Sequence, residues 1–251
     1  MLTSQKASHV KQAGFTLVEL AIVMIIIGLL IGGVLKGQEL INNAKVTATV
    51  AQVKGIDGAI STFYDMYKAI PGDMQTPTTR LPNCTTAPCN VAGSGDGRLA
   101  NTPGATPAGT EGERFFVHMA AADLLTGVNP QLAASTAPGV TYPEAKIAGV
   151  LTAGYSAAPA NLTSASFTGG AFTGHYLRLD TAPVAAATAG TLLTANQAAR
   201  IDQKLDDGMP GAGSVRAIGA AATCVSAASA VGTYLEAVTT PSCSLYMRVQ
   251  G

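Results

Sequence analysis

The chain has 251 residues, and its 15 basic side chains balance 15 acidic ones at a formal net charge of zero. That balance lacks the basic footprint a nucleic-acid partner requires, so no nucleic-acid binding is expected. Aromatic residues make up 5% and tryptophan is absent, so any core is built from small and aliphatic side chains. The length suits one large domain or two small ones.

The first 14 residues carry Lys6, His9 and Lys11 and no acid. From Phe15 to Leu35 the sequence is almost wholly apolar, with one charge, Glu19. A helix of that length spans about 30 Å, the thickness of a bilayer's hydrocarbon. The basic residues before it place its start on the cytoplasmic side, with the remainder exported. A cleavable secretory signal has a shorter apolar run, of about 7–15 residues. A plain anchor explains the length but not Glu19, because a carboxylate deep in hydrocarbon costs roughly 2.5–3.5 kcal/mol and marks a functional position.

The stretch Gly14-Phe15-Thr16-Leu17-Val18-Glu19-Leu20 resembles the class III signal of type IV pilins and type II secretion pseudopilins. The resemblance implies that a prepilin peptidase cuts between Gly14 and Phe15 and N-methylates the new terminus at Phe15. Residues 1–14 are then a cleaved leader. It also implies that the Glu19 carboxylate receives the charged Phe15 amine of a neighbouring subunit during polymerisation. An assembly ATPase and an inner-membrane platform protein would drive that step.

Beyond Leu35 the composition turns polar, but helical spacing persists. Val46, Val50, Val53, Ile56, Ile60, Phe63 and Tyr67 recur every three or four residues, the signature of one apolar helix face. A helix over 16–68, about 80 Å long, is expected to stop at Pro71-Gly72. Its half at 15–35 would serve the membrane and the filament core, and its half at 36–68 would pack on a head at 69–251. Gly28, Gly32 and Gly33 suit close helix packing. Many type IV pilins have a proline where this chain has Lys36, so a proline kink is not expected, and Gly32-Gly33 is the alternative point of flexibility.

Residues 69–110 read as a Pro- and Gly-rich loop. Within it "GSGDGR" lacks both the P-loop lysine and the spaced acids of an EF-hand, and reads as a turn. Thr110 and Glu113 have the spacing of a capping box, ahead of a helix expected over 111–126 that stops at Gly127. His118 in that helix has no ligand partner at helical spacing, which favours packing or the surface. "AKIAGVLT", "HYLRLD" and "TLLT" are candidate strands or short helices. "TANQAARIDQKLDDG" reads as a helix with Ala198, Ile201 and Leu205 on one face. Its acids Asp202, Asp206 and Asp207 are weak calcium candidates, with a solvated face and a turn as the preferred reading. "GSVRAI", "TYLEAV" and "SLYMRV" are strand candidates.

The four cysteines, Cys84, Cys89, Cys224 and Cys243, admit three pairings in an exported domain. The neighbour pairing Cys84–Cys89 and Cys224–Cys243 closes the shortest loops and is expected; four free thiols are the alternative. No C-x-x-C occurs and the three histidines are scattered, which argues against zinc.

"AIPGDM", "GSGDGRL", the helix around His118, "IDQKLDDGMPGAG" and "CSLYM" are similar to stretches of pilin-like proteins. The fold implied is α+β: a long N-terminal helix packed against a small antiparallel sheet, with long disulfide-stapled loops. No serine-hydrolase elbow, zincin motif or dinucleotide fingerprint is present, so no enzyme activity and no cofactor is expected. The expectation is a structural subunit of a type IV pilus or pilus-like filament, held single-pass in the inner membrane before assembly and in a periplasmic or surface filament after it. A pseudopilin and a monomeric, membrane-anchored periplasmic binding protein are the alternatives.

Overall fold

The computed structural model describes residues 16–100, 109–132, 138–156, 173–181, 192–219, 222–227 and 232–249. The chain divides into two units, one ending at Asn43 and one beginning at Ala44. One helix, α1 (Leu17–Tyr67), belongs to both and has no break at Gly32-Gly33.

In the first unit α1 is apolar on every side, and its large side chains from Leu17 to Leu35 are exposed. It is the described helix long and apolar enough to cross a membrane.

In the second unit the apolar spacing becomes one-sided. Val46, Val50, Val53, Ile56, Ile60 and Phe63 are buried and Tyr67 is half-buried. Thr49 is buried among them, and its hydroxyl donates to the Lys45 carbonyl at 2.9 Å, which satisfies the one polar group in the stripe. The helix ends at Tyr67, and Lys68 follows with a left-handed φ of 49°. The Arg80 guanidinium of the short α2 (Pro77–Arg80) donates to the Tyr67 carbonyl, an acceptor the helix end otherwise leaves open.

α3 spans Glu111–Ala121, five residues shorter than expected. Asp123 takes a φ of 57°, its N–H bonds to Ala120 O, and Leu124 N–H bonds to Met119 O. That is a Schellman stop with an aspartate in the glycine position, so Gly127 is not the terminator. The Thr110 capping box is also incomplete: its side chain makes no cap bond, and Glu113 reaches back to the Gly109 N–H.

The strands are β1 (Val150–Ser156), β2 (Gly174–Asp180), β3 (Val215–Gly219) and β4 (Cys243–Arg248), with α4 (Ala195–Leu205) between β2 and β3. They form one antiparallel sheet in the order β1-β2-β4-β3. Register places Leu151 opposite Leu179, Leu177 opposite Met247 and Ala217 opposite Leu245. These side chains share one buried cluster with the α1 stripe and with Phe115, Phe116 and Met119 of α3. The head is thus an α+β, pilin-like arrangement.

Three strand candidates shift. In "AKIAGVLT" the strand starts at Val150, because Gly149, at φ 71°, closes a turn through the Ala145 N–H to Gly149 O bond. "TLLT" contributes one bridge, Leu193 to Cys243, before Thr194 caps α4 with a complete capping box to Gln197. "TYLEAV" contributes one bridge, Val225 to Tyr234, and then turns at Leu235–Val238.

Candidate functional site

Glu19 has a local structural explanation. Thr16 occupies the N-cap of α1 and Glu19 its third position. The Thr16 N–H and hydroxyl both donate to Glu19 Oε2 at 2.8 Å, and the Glu19 N–H donates back to Thr16 Oγ1 at 3.3 Å. This is a reciprocal capping box. Its T-x-x-E spacing is legible in the sequence, although the readings of Glu19 as an acid in lipid and as a receiver of a neighbour's amine pass over it. Gly14 and Phe15 lie outside the described residues. Farther along α1, a Cβ added at Gly28, Gly32 or Gly33 would meet nothing within 4 Å.

The head carries two buried polar nodes that hold its loops. The first lies beside the disulfide Cys84–Cys89. His118 is fully buried. Its Nδ1 accepts the Gly72 N–H at 2.9 Å, so Nε2 carries the proton and donates to the Cys89 carbonyl at 3.0 Å. Burial pushes the imidazole down to about 4, which keeps it neutral. Both nitrogens are occupied by backbone, so this histidine is a fastener. Its ring nitrogen and the two sulfurs lie within 4.8 Å of one another, but the sulfurs are joined to each other.

The "GSGDGR" loop wraps onto carboxylates from elsewhere in the chain. Buried Asp73 accepts from Ser94 Oγ at 2.8 Å, Gly95 N–H at 2.5 Å and Gly97 N–H at 2.7 Å. Buried Glu111 accepts from the N–H groups of Ser94 and Ala100, and Arg114 stands 3.8 Å from it. The loop's N–H groups therefore bind the protein's own anions. Gly93 makes the approach possible, since a Cβ there would lie 2.4 Å from Asp73 C.

The second node lies beside the disulfide Cys224–Cys243. Asp202 is fully buried, contrary to its expected place on a solvated face. Tyr234 Oη donates to Asp202 Oδ2 at 2.7 Å, and the Gly208 N–H donates to Oδ1 at 3.2 Å. Burial raises the carboxyl to about 7; those two donors oppose the rise, and the charges of Asp207 and Asp206 add to it. Asp206 accepts from the N–H groups of Ser214 and Val215, and Asp207 from that of Met209. The oxygens of the three acids lie within 4.8 Å of one another. Each has donors from the protein, and Asp202 is enclosed. Tyr234 was missed as its partner because 32 residues separate the two.

A groove of about 920 Å³ opens at the end of α1 over Ile60, Ile70 and Met74. Its cations are tied to that helix end: Lys68 pairs with Asp65 at 3.4 Å, and Arg80 bonds the Tyr67 carbonyl.

No curated protein and no solved structure matches the chain. Residues 10–35 match the prokaryotic N-terminal methylation motif, the class III signal of type IV pilins and pseudopilins, and this match covers Gly14, Phe15, Glu19 and the exposed apolar start of α1.

Proposed function

We propose that the chain is a structural subunit of a type IV pilus or a pilus-like filament. A prepilin peptidase removes residues 1–14 and methylates Phe15. The processed subunit waits in the inner membrane, N-terminus cytoplasmic, and is then polymerised through α1 by a platform protein and an assembly ATPase. The carrying observation is the methylation motif at residues 10–35 directly on a helix whose first half is apolar all round and is left exposed by the described residues.

In this reading Glu19 sets register. A buried charge left without its partner is strongly destabilising, whereas the pair itself adds little net stability. The Phe15 amine of the next subunit is that partner. Glu19→Ala is expected to leave cleavage intact and abolish filaments, measured by mass spectrometry of the mature terminus and electron microscopy of sheared cells. Normal filament yield from Glu19→Ala overturns the assembly role. A mature protein that retains residues 1–14 favours a simple anchored monomer, and filaments confined to the periplasm favour a pseudopilin.

A further inference from the structure

The groove at the end of α1 is held in shape by the head's own bonds. Three segments frame it: the last turns of α1, the turn that leads into α2, and the loop at Gly95 and Gly97. Arg80 holds α2 to the Tyr67 carbonyl. Asp73 holds the loop through Ser94, Gly95 and Gly97, and Gln75 Nε2 donates to the Ser94 carbonyl at 3.1 Å. Walls already fixed spare a ligand the cost of ordering them. The volume of about 920 Å³ is that of a small-molecule site.

Net charge does not select its ligand. Two cations, Lys68 and Arg80, and two acids, Asp65 and Asp73, line the groove, so the formal charges cancel. What remains on offer is both kinds of hydrogen-bonding group. Asp65 Oδ2 and Gln75 Oε1 accept no hydrogen bond among the described residues, and Arg80 Nε and Nη1 and Tyr64 Oη donate none. An anion uses donors alone and a metal cation acceptors alone, whereas a hydroxyl donates and accepts at once.

The floor adds an apolar requirement. Ile60, Ile70 and Met74 are buried beneath the groove, and Tyr64 at its side is 48% exposed. Lys68 Nζ lies over one side of the Tyr64 ring at 5.8 Å and leaves the other to a ligand. A wholly apolar ligand would strip water from the rim without replacing its hydrogen bonds. A pyranose ring meets both demands, since it has a C–H face and an edge of hydroxyls. We propose that this groove binds a neutral saccharide, packed against Tyr64 and bonded through its hydroxyls to Asp65, Gln75 and Arg80. The site belongs to the head and does not depend on polymerisation.

The test is nuclear magnetic resonance of the full chain, with labelled methionine methyl groups, in a detergent without a sugar headgroup. The probes are cellobiose, lactose and N,N′-diacetylchitobiose, with the peptide N-acetyl-tetraalanine amide alongside. Contact with about a dozen ligand atoms corresponds to a dissociation constant on the order of 1 mM. The expected result is a saturable shift of the Met74 methyl with at least one disaccharide, while Met247 of β4 stays unmoved. Tyr64→Ala should weaken binding about tenfold and Asp65→Asn about threefold. Both side chains are exposed, so near-ultraviolet circular dichroism should show an intact head. An unmoved Met74 methyl with all three disaccharides at about 20 mM overturns the site. So does a shift produced by the peptide and by no sugar. Undiminished binding in Tyr64→Ala overturns it as well; should that variant not fold, undiminished binding in Asp65→Asn does.

Discussion

The two halves of α1 have the same backbone and opposite side-chain arrangements. From Leu17 to Leu35 apolar side chains cover the whole circumference and stay exposed; from Val46 to Phe63 they keep to one stripe and are buried. Helix formation is common to both, because each run is rich in residues that tolerate it. What differs is angular distribution. A helix apolar all round needs an apolar surround, whereas one with a single stripe needs a single partner face. Here the partner face is supplied by the same chain, as the shared core with α3 and the sheet shows.

Substitutions at matched positions test that contrast. Phe63→Ala should cost about 3–5 kcal/mol of head stability through the cavity it leaves. Ile27→Ala, equally apolar but exposed, should leave head unfolding unchanged. Thermal unfolding of the full chain in detergent, followed by near-ultraviolet circular dichroism, reads both. Equal losses would erase the distinction between the halves.

A smaller effect separates the halves by pH. An unfolded histidine binds its proton below about pH 6.5, whereas folded His118 stays neutral to about 4. Stability is therefore lost as pH falls from 6.5 towards 4, by roughly 3 kcal/mol at the limit. Asp202 acts in the opposite sense over an overlapping range, since its raised value favours the folded state at low pH and loses that contribution as pH rises through about 7. The unaltered chain should show a flattened profile. His118→Gln should unmask a steady decline from acid to neutral, and Asp202→Asn a steady rise. Neither change should alter the helicity of the apolar half.

The smallest effect concerns glycine. A Cβ at Gly55 or Gly58 would meet nothing within 4 Å, so Gly55→Ala and Gly58→Ala should each stabilise the helix by about 0.5–1 kcal/mol. Gly32→Ala should do the same in the apolar half. If the proposed filament packs helices closely there, Gly32→Leu should reduce filament yield while leaving subunit folding intact.

How much of this was legible depends on the range of each interaction. The limits of α1 and its buried stripe could be read because the pattern repeats every three or four residues. β2, β3 and β4 showed as short runs between turn residues. β1 was misplaced because Gly149 closes a turn inside an otherwise continuous apolar run. Asp123 ended α3 early because an aspartate adopted the conformation usually left to glycine. The polar nodes were hidden for a different reason. His118 bonds a backbone 46 residues away, and Asp73 bonds a loop 21 to 24 residues away. No local periodicity reports on such pairs, and a buried acid looks in sequence like an exposed one. The disulfide neighbours are now joined in the structure as Cys84–Cys89 and Cys224–Cys243.

The Thr16–Glu19 box alters what an incoming subunit has to do. The carboxylate proposed to receive a neighbour's amine is already supplied with two donors from its own helix end. Docking is then an exchange of partners, in which a local contact is traded for one between chains. In the proposed reading, the subunit's own helix end leaves no unsatisfied acid before a neighbour arrives.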